Sequence, residues 1–403
     1  MGNSFVTSDG TDGLDPDRAR PFRLIVTGGG TGGHTYPALT TIRALQARLS
    51  KSGRTAEVLW VGTASGLEAR VATAEGIRFA AVATGKIRRA RSLLKLLSLA
   101  NLRDMGRVPL GVVQARSVVA RFRPDVVLAT GGYVAVPVSL AARMCRRPLV
   151  VHEQTVRLGL ANRILAPVTT RMAVSSPSTL ALLSGRAQRS AVVTGNPVRR
   201  EIFNGHAGKA VVALELLGFD RGLPTVYVTG GAQGAAQING LVRDILPWLL
   251  THANVIHQCG PDAVEGLGEY AATMPADLAG RYRPIGFIGA ELPDVFALAD
   301  VVVSRSGAGT IAELTALGKP AVLVPLATSA GGEQAHNARV LAEAGAAVAL
   351  LGEVTAEDLQ GAVTPLLTDA AGRDVMAERA RERGRPDAAD RLVDVVLNAA
   401  GAS

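Results

Sequence analysis

Three glycine-rich stretches have the residue types and spacing to do chemistry. Gly28-Gly29-Gly30-Thr31-Gly32-Gly33-His34 follows a hydrophobic run near the start, and Gly230-Gly231-Ala232-Gln233-Gly234-Ala235 follows another in the second half. At a strand-to-helix junction, glycines leave backbone N–H groups uncovered and the helix start adds a partial positive charge. Each stretch can therefore hold an anion. Arg305-Ser306-Gly307-Ala308-Gly309-Thr310 has the same setting and would suit a diphosphate, including one that departs with a nucleoside. Glu313 lies one helical turn beyond Gly309. A carboxylate beside an anion site is useful if it grips hydroxyls, as a ribose offers; otherwise it is an ordinary acid near a helix start. The pattern predicts two phosphate-bearing molecules meeting between two halves of the chain.

His34 closes the first stretch. It either caps the helix start or serves as a general base toward a hydroxyl, a task suited to its ordinary pKa near 6.5. Thr130-Gly131-Gly132-Tyr133 forms another anion-friendly loop, and the next strand runs into His152-Glu153-Gln154. Both stand at carboxyl ends of predicted parallel strands, where α/β proteins bind ligands. Glu153 is the second candidate base, and Tyr133 and His152 read equally well as structural. Gln334, in Glu333-Gln334 at the start of a helix bearing His336 and Asn337, has the donors and acceptors to hold a sugar, and Arg199 suits a phosphate or a uracil.

Several classes are excluded. Gly28, Gly30 and Gly33 match the dinucleotide fingerprint, but the second strand ends in Gly62-Thr63, with no acid to hold a nicotinamide ribose. No Gly-Lys-Ser/Thr follows the glycines, so a P-loop fails as well. Asp15-Pro16-Asp17 has a metal-binding form but sits in a polar tail, so no metal site or cofactor is expected. Aromatic residues make up 4% of the chain, against a base-stacking surface, while a net charge of +9 favours an anionic partner other than nucleic acid. No uncharged run reaches the roughly 18 residues that a membrane span needs, and the first residues lack a signal-peptide pattern. Cys145 and Cys259, one in each half, read as buried thiols in a reducing compartment.

The elements that must position these residues are short apolar runs alternating with helical patterns. At 403 residues two domains are expected. Strands are predicted over 23–27, 58–62, 78–82, 125–129, 149–152 and 172–175, and then over 225–229, 254–258, 281–287, 301–304, 321–325 and 346–350. Continuous apolar runs imply strands covered on both faces, hence two parallel α/β sheets. Helices are predicted over 37–49, 235–250, 308–317 and, as one or two terminal helices, 373–400. The predicted divisions are a disordered tail over 1–20, a first domain over 21–197 and a second over 198–383, with 384–403 as a helix that could rejoin the first. The stretch 204–222 is weakly patterned and reads as a flexible lead-in.

Together, Thr27–Pro37, Gly131–Pro137, His152–Gln154 with Gly159–Asn162, Gly195–Arg199, Gly230–Ala235 and Arg305–Glu313 resemble the MurG family of bacterial N-acetylglucosaminyltransferases. The similarity runs from Phe22 through nearly the whole chain. It implies a GT-B fold, two Rossmann-like domains with a cleft, and metal-independent, inverting transfer from UDP-N-acetylglucosamine to lipid I, giving lipid II for peptidoglycan. The implied donor contacts are Thr31, Gly32 and Gly33 from the first domain, with Thr155, Arg199, Ala232, Gln233, Ile288, Ala308, Gly309, Thr310, Ile311, Ala312, Glu313 and Gln334. Gly30, Gly131, Gly132 and Tyr133 would cradle the lipid diphosphate, and His34 would be the base, with Glu153 as the alternative.

The chain departs from the family pattern at three places. Thr155 stands where the family has Asn, Ala232 where it has Ser, and Glu333 where it has the first Gln of a pair. A related transferase with another lipid-linked or natural-product acceptor therefore stays open, as does a UDP-N-acetylglucosamine 2-epimerase of the same architecture. Lys86 to Arg107 alternates cations with leucines, which predicts a peripheral patch for the anionic cytoplasmic face of the membrane.

Overall fold

A computed structural model of the chain describes residues 20–85, 99–231, 233–329 and 332–401, with side chains of the helix over 99–106 left out. The tail over 1–19, the start of the basic segment from Lys86, and Ala232 lie outside the described residues.

Strands β1 (Phe22–Gly28), β2 (Ala56–Gly62), β3 (Arg78–Ala81), β4 (Val126–Gly131), β5 (Leu149–Glu153), β6 (Arg171–Val174) and β7 (Ala191–Val193) form the first sheet, in the order β3-β2-β1-β4-β5-β6-β7. Helices α1 (Gly32–Lys51), α2 (Leu67–Ala74), α3 (Leu99–Phe122) and α4 (Ala135–Met144) connect its early strands. All pairings are parallel. Both faces are buried, and successive residues serve opposite faces: Leu24 and Val26 join one core, Ile25 the other. That explains why these strands read as continuous apolar runs.

After a short helix, α5 (Ala207–Ala213), the pattern repeats. β8 (Thr225–Thr229), α6 (Ala236–His252), β9 (Asn254–Gln258), β10 (Tyr282–Ile285), α7 (Leu292–Leu298), β11 (Val301–Ser304), α8 (Ala308–Leu317), β12 (Ala321–Leu323), α9 (Glu333–Glu343) and β13 (Val348–Ala349) follow. The second sheet is ordered β10-β9-β8-β11-β12-β13. Val226 and Val228 face one core, and Tyr227 faces the other. Three helices end the chain: α10 (Ala356–Thr368), α11 (Ala370–Arg383) and α12 (Ala388–Ala400). α12 returns to the first sheet, where Leu392, Val393 and Val396 join the core of Leu24 and Val26.

Two expectations need correction. The stretch 204–222 is not a loose lead-in: α5 lies within it, and Ala210, Leu214 and Leu216 are buried in the core shared with α7. Its apolar residues are too few to show a period, but they find one compact neighbour. The sequence reading also missed β7, whose three residues lie at the sheet edge with Val192 exposed. A run that short carries no periodic signal.

Candidate active site

At the end of β1 the first glycine stretch turns into α1. Gly30 has a left-handed φ of +82°, a conformation that favours glycine. Its N–H does not wait for a ligand, because it donates to Glu68 Oε2 at 3.0 Å. Glu68, fully buried, also accepts from the Thr63 N–H and hydroxyl at 2.9 and 2.6 Å. Burial opposes its charge, but these hydrogen bonds prevail and hold the carboxyl below its ordinary range. A Cβ on Gly29, Gly62 or Gly66 would lie 2.2, 2.5 or 2.2 Å from Glu68, so three glycines make room for one carboxylate. Sequence reading missed Glu68; the glycines grouped around it were the available signal. The open amides are those of Gly32 and Gly33 in the first turn of α1, which has no side-chain cap.

The Gly131-Gly132 loop interlocks with this one. Gly29 N–H donates to Gly131 O at 3.3 Å. A Cβ on Gly132 would lie 2.4 Å from Gly29 O, and one on Gly131 would lie 2.9 Å from the His34 ring. The glycine at 131 thus leaves the space that His34 occupies. Tyr133 is half-buried beside them.

His34 is held through a relay of side chains. Its Nδ1 lies 3.1 Å from Gln154 Oε1; Gln154 Nε2 reaches Thr130 O at 2.7 Å and His152 Nδ1 at 3.1 Å; His152 Nε2 reaches Gly195 O at 3.0 Å. Carbonyl oxygens only accept, which fixes the protons in this network. His152 carries its proton on Nε2 and accepts at Nδ1. Gln154 presents its oxygen to His34, so His34 donates from Nδ1 and keeps the Nε2 lone pair open. His152 is fully buried, and desolvation lowers its pKa to about 4 against the Gly195 hydrogen bond, so it stays neutral near pH 7.

Glu153 has a different setting. It is 1% exposed and accepts from Thr155 N at 3.1 Å, Thr155 Oγ1 at 2.8 Å, Gly159 N at 2.9 Å and Asn162 Nδ2 at 3.0 Å. These bonds make it a clamp on the loop over 154–162. The Thr155 hydroxyl is occupied inside the same loop.

The second lobe supplies the other wall. A cavity of about 590 Å³ is lined by Gly230, Gly231, Gly234, Arg305, Gly307, Thr310 and Gln334, among others. α8 begins at Gly307 with no side-chain cap, so the amides of Ala308, Gly309 and Thr310 are unpaired there. Arg305 reaches Gln237 Oε1 at 2.9 Å and Val324 O at 2.9 Å, which places its guanidinium at the cavity wall. It is a cation the sequence reading passed over. Gln334 Oε1 accepts from Leu326 N at 2.9 Å, leaving its Nε2 protons for a ligand. Gly234, at φ +71°, packs so closely on the turn after β9 that a Cβ would lie 1.9 Å from Cys259 O. Gln233 faces Leu67 and Arg70 of the first lobe across the cleft.

Ile288 N–H donates to Gln258 Oε1 at 3.1 Å, and Gln258 Nε2 donates to Gly231 O at 2.9 Å. One buried glutamine therefore ties the second glycine loop to Ile288. Arg199 Nη2 donates to Glu313 Oε1 at 3.0 Å. Burial raises the Glu313 pKa, and the Arg199 charge works against that rise. Ile311 and Ala312 face the opposite flank of α8, toward a second cavity between the lobes. Glu333 is pushed up to about 7, first by burial and then by the charge of Glu153 in the other lobe. Among the described residues no three His, Cys, Asp or Glu side chains gather as a metal site.

Models of the glycosyltransferase family 28 N-terminal and C-terminal domains match residues 24–174 and 225–392. Fold and cleft together thus define the class of a two-domain family 28 glycosyltransferase. The UDP-N-acetylglucosamine–N-acetylmuramyl-(pentapeptide) pyrophosphoryl-undecaprenol N-acetylglucosamine transferase of Listeria monocytogenes serovar 1/2a is 36% identical over 379 residues, which are 94% of this chain and 99% of the relative. The crystal structure of Acinetobacter baumannii MurG matches with a TM-score of 0.70 at 26% identity, covering 94% of this chain and 100% of that one. The chain belongs to the family of these transferases, the MurG family. A UDP-N-acetylglucosamine 2-epimerase structure, at 18% identity with a TM-score of 0.65 over 95% of this chain and 97% of its own, shares the fold.

Proposed function

We propose that this chain transfers N-acetylglucosamine from UDP-N-acetylglucosamine to the C4 hydroxyl of lipid I, the undecaprenyl-pyrophosphoryl N-acetylmuramoyl-pentapeptide, and so makes lipid II. The observation that carries the reading is a pair of facing devices. One lobe offers the unpaired amides of α8 with Arg305; the other offers His34 with its Nε2 lone pair open. In this reading the donor lies in the second lobe. Its uracil meets Ile288 and Arg199, and Glu313 accepts from the ribose hydroxyls. The diphosphate rests on the amides of Ala308, Gly309 and Thr310, and Gln334 donates to the sugar.

His34 Nε2 takes the proton as the acceptor oxygen attacks the anomeric carbon, and the bond to the diphosphate oxygen breaks. Negative charge develops on UDP at the α8 start, where the dipole and Arg305 stabilise it. Attack opposite the leaving group inverts the centre and gives a β-1,4 linkage. His34 is preferred to Glu153 as base because Glu153 already accepts four hydrogen bonds. In this reading the Gly32 and Gly33 amides, donor contacts by the family resemblance, instead face the acceptor diphosphate with Gly131 and Gly132, since the Gly30 N–H is taken by Glu68.

The same reading places the protein on the cytoplasmic face of the membrane. Among the described residues no helix is long and apolar enough to cross it. Leu110 and Val113 of α3 are 52% and 65% exposed, immediately after the stretch of alternating leucines and cations. Such a surface suits peripheral docking on anionic lipid.

The test is transfer of label from radiolabelled UDP-N-acetylglucosamine to a lipid I analogue. Labelled disaccharide-lipid is the expected product. Sugar epimerisation with no acceptor and no labelled lipid would overturn the reading in favour of an epimerase.

A further inference from the structure

We infer that the floor of the cleft is a peptide seat: the cavity rimmed by Asn196, Arg383 and Arg385 takes the carboxylate-terminated end of the acceptor's peptide. The inference rests on the transferase reading above. The cavity has a volume of about 490 Å³ and opens between the lobes beside Gln154.

Its place in the fold is the first argument. In the first sheet, His34 follows β1, Gln154 follows β5, Ser175 follows β6 and Asn196 follows β7, and the strands stand in the order β1-β4-β5-β6-β7. A path along the strand ends from His34 therefore crosses Gln154 and enters the cavity. On the second lobe the wall is Ala308, Ile311, Ala312 and Thr315, one stripe of α8 at helical spacing. Gly307 and Thr310 instead line the donor cavity, so the two cavities flank α8 on different sides. A muramoyl sugar bears its peptide on the oxygen at C3, next to the C4 hydroxyl. Presenting that hydroxyl to His34 leaves the peptide beside this second cavity.

The chemistry of the walls is the second argument. Val340 and Leu341 extend the apolar surface of α8 and suit small aliphatic side chains. Arg383 and Arg385 stand at the rim, exposed, and donate to no group among the described residues. Two cations over an apolar hollow match a chain that ends in a carboxylate. Glu382 shares the rim and leaves a net positive charge there. Asn196 is 6% exposed, yet its Oδ1 accepts no hydrogen bond among the described residues. A peptide N–H would satisfy it.

The seat is also rigid. Gly195 has a φ of +84°, and a Cβ there would lie 2.8 Å from Arg385 Cβ; a Cβ on Gly384 would lie 2.6 Å from Thr315 O. Both chain crossings between the lobes are thereby packed against each other and against α8.

The test compares three lipid-linked muramoyl acceptors: peptide with a free terminal carboxylate, peptide ending in an amide, and no peptide. The wild-type protein should show the lowest acceptor KM with the free carboxylate, by roughly tenfold, as expected for a charge-assisted hydrogen bond. The double substitution Arg383→Ala with Arg385→Ala should erase that preference. Donor KM and turnover of the peptide-free acceptor should stay unchanged, which also shows that the variant is folded. Arg383→Lys with Arg385→Lys should retain part of the preference. A double alanine variant that keeps the full preference, or loses activity equally on all three acceptors, would overturn the seat. Transfer to the peptide-free acceptor with no peptide preference in the wild type overturns the seat alone. No lipid product from any acceptor overturns the transferase reading, and this inference with it.

Discussion

Glu68→Gln separates the brace of the acceptor-side loop from the chemistry around it. The side chain keeps its length, so the cavity stays filled. Of the two carboxylate oxygens, Oε1 accepts twice from Thr63 and Oε2 accepts once from Gly30. The least costly amide orientation therefore turns the new NH₂ toward Gly30 N–H. One charge-assisted bond is lost, two donors face each other, and the two bonds from Thr63 become neutral. The total is about 2–4 kcal/mol of stability, less than the roughly 5–15 kcal/mol of a typical domain, so the variant should fold. Because the native carboxyl sits below its ordinary pKa of 4.5, its contribution is complete above that value. It is lost as the pH falls through the depressed native pKa. Urea unfolding should show the variant weaker at neutral pH, with the gap narrowing in acid. Kinetically, acceptor KM should rise and kcat fall, while UDP binding by calorimetry stays at the wild-type value, since the donor lobe is untouched. Equal unfolding midpoints at neutral pH would refute the brace, and so would a donor affinity that drops as far as the acceptor's.

Four further substitutions probe the rest of the site. His34→Ala should lower kcat by about 10²–10⁴-fold, the usual range for a general base, with donor KM unchanged; wild-type turnover would end its role. Gln154→Leu removes the oxygen that fixes the His34 tautomer and should also depress kcat, with a shifted pH–rate profile that a purely structural residue would not produce. Glu313→Ala should raise donor KM by about 10–100-fold, as for a lost charged hydrogen bond, and calorimetry with UDP reads this directly. Glu333→Gln tests burial of a carboxyl held near 7. The native state favours the protonated acid, so wild-type stability from this group is complete below the ordinary 4.5 and lost as the pH rises through about 7. The variant should gain on wild type across that window; a constant difference would count against it.

Much of this was readable from local sequence. The alternation of apolar runs with helical patterns predicted two parallel sheets, and β8, β9 and β11 have the predicted bounds. Such runs are legible because each strand is buried on both faces, so its own composition reports its setting. Glycines were legible for a related reason: Gly30 and Gly234 hold backbone conformations that other residues avoid. The start of α8 was visible as Gly307 and Gly309 after a strand, and it folds there with bare amides.

Contacts between residues distant in the chain were decided only by the tertiary structure. Glu68 reads as one more helix acid until the fold brings it to Gly30. His34, Gln154, His152 and Gly195 form one proton-ordered relay although they come from three separate segments, and that relay, absent from any local pattern, sets which nitrogen of His34 is open. Likewise, α12 follows the second sheet in sequence but buries Leu392 and Val396 on the first, because that sheet has the apolar face to receive them. The sequence alone determined strand, turn and helix start, since these follow from each residue's own conformational and solvation preferences. Only the folded chain determined which side chains share protons, because a hydrogen bond depends on distances that no residue carries by itself.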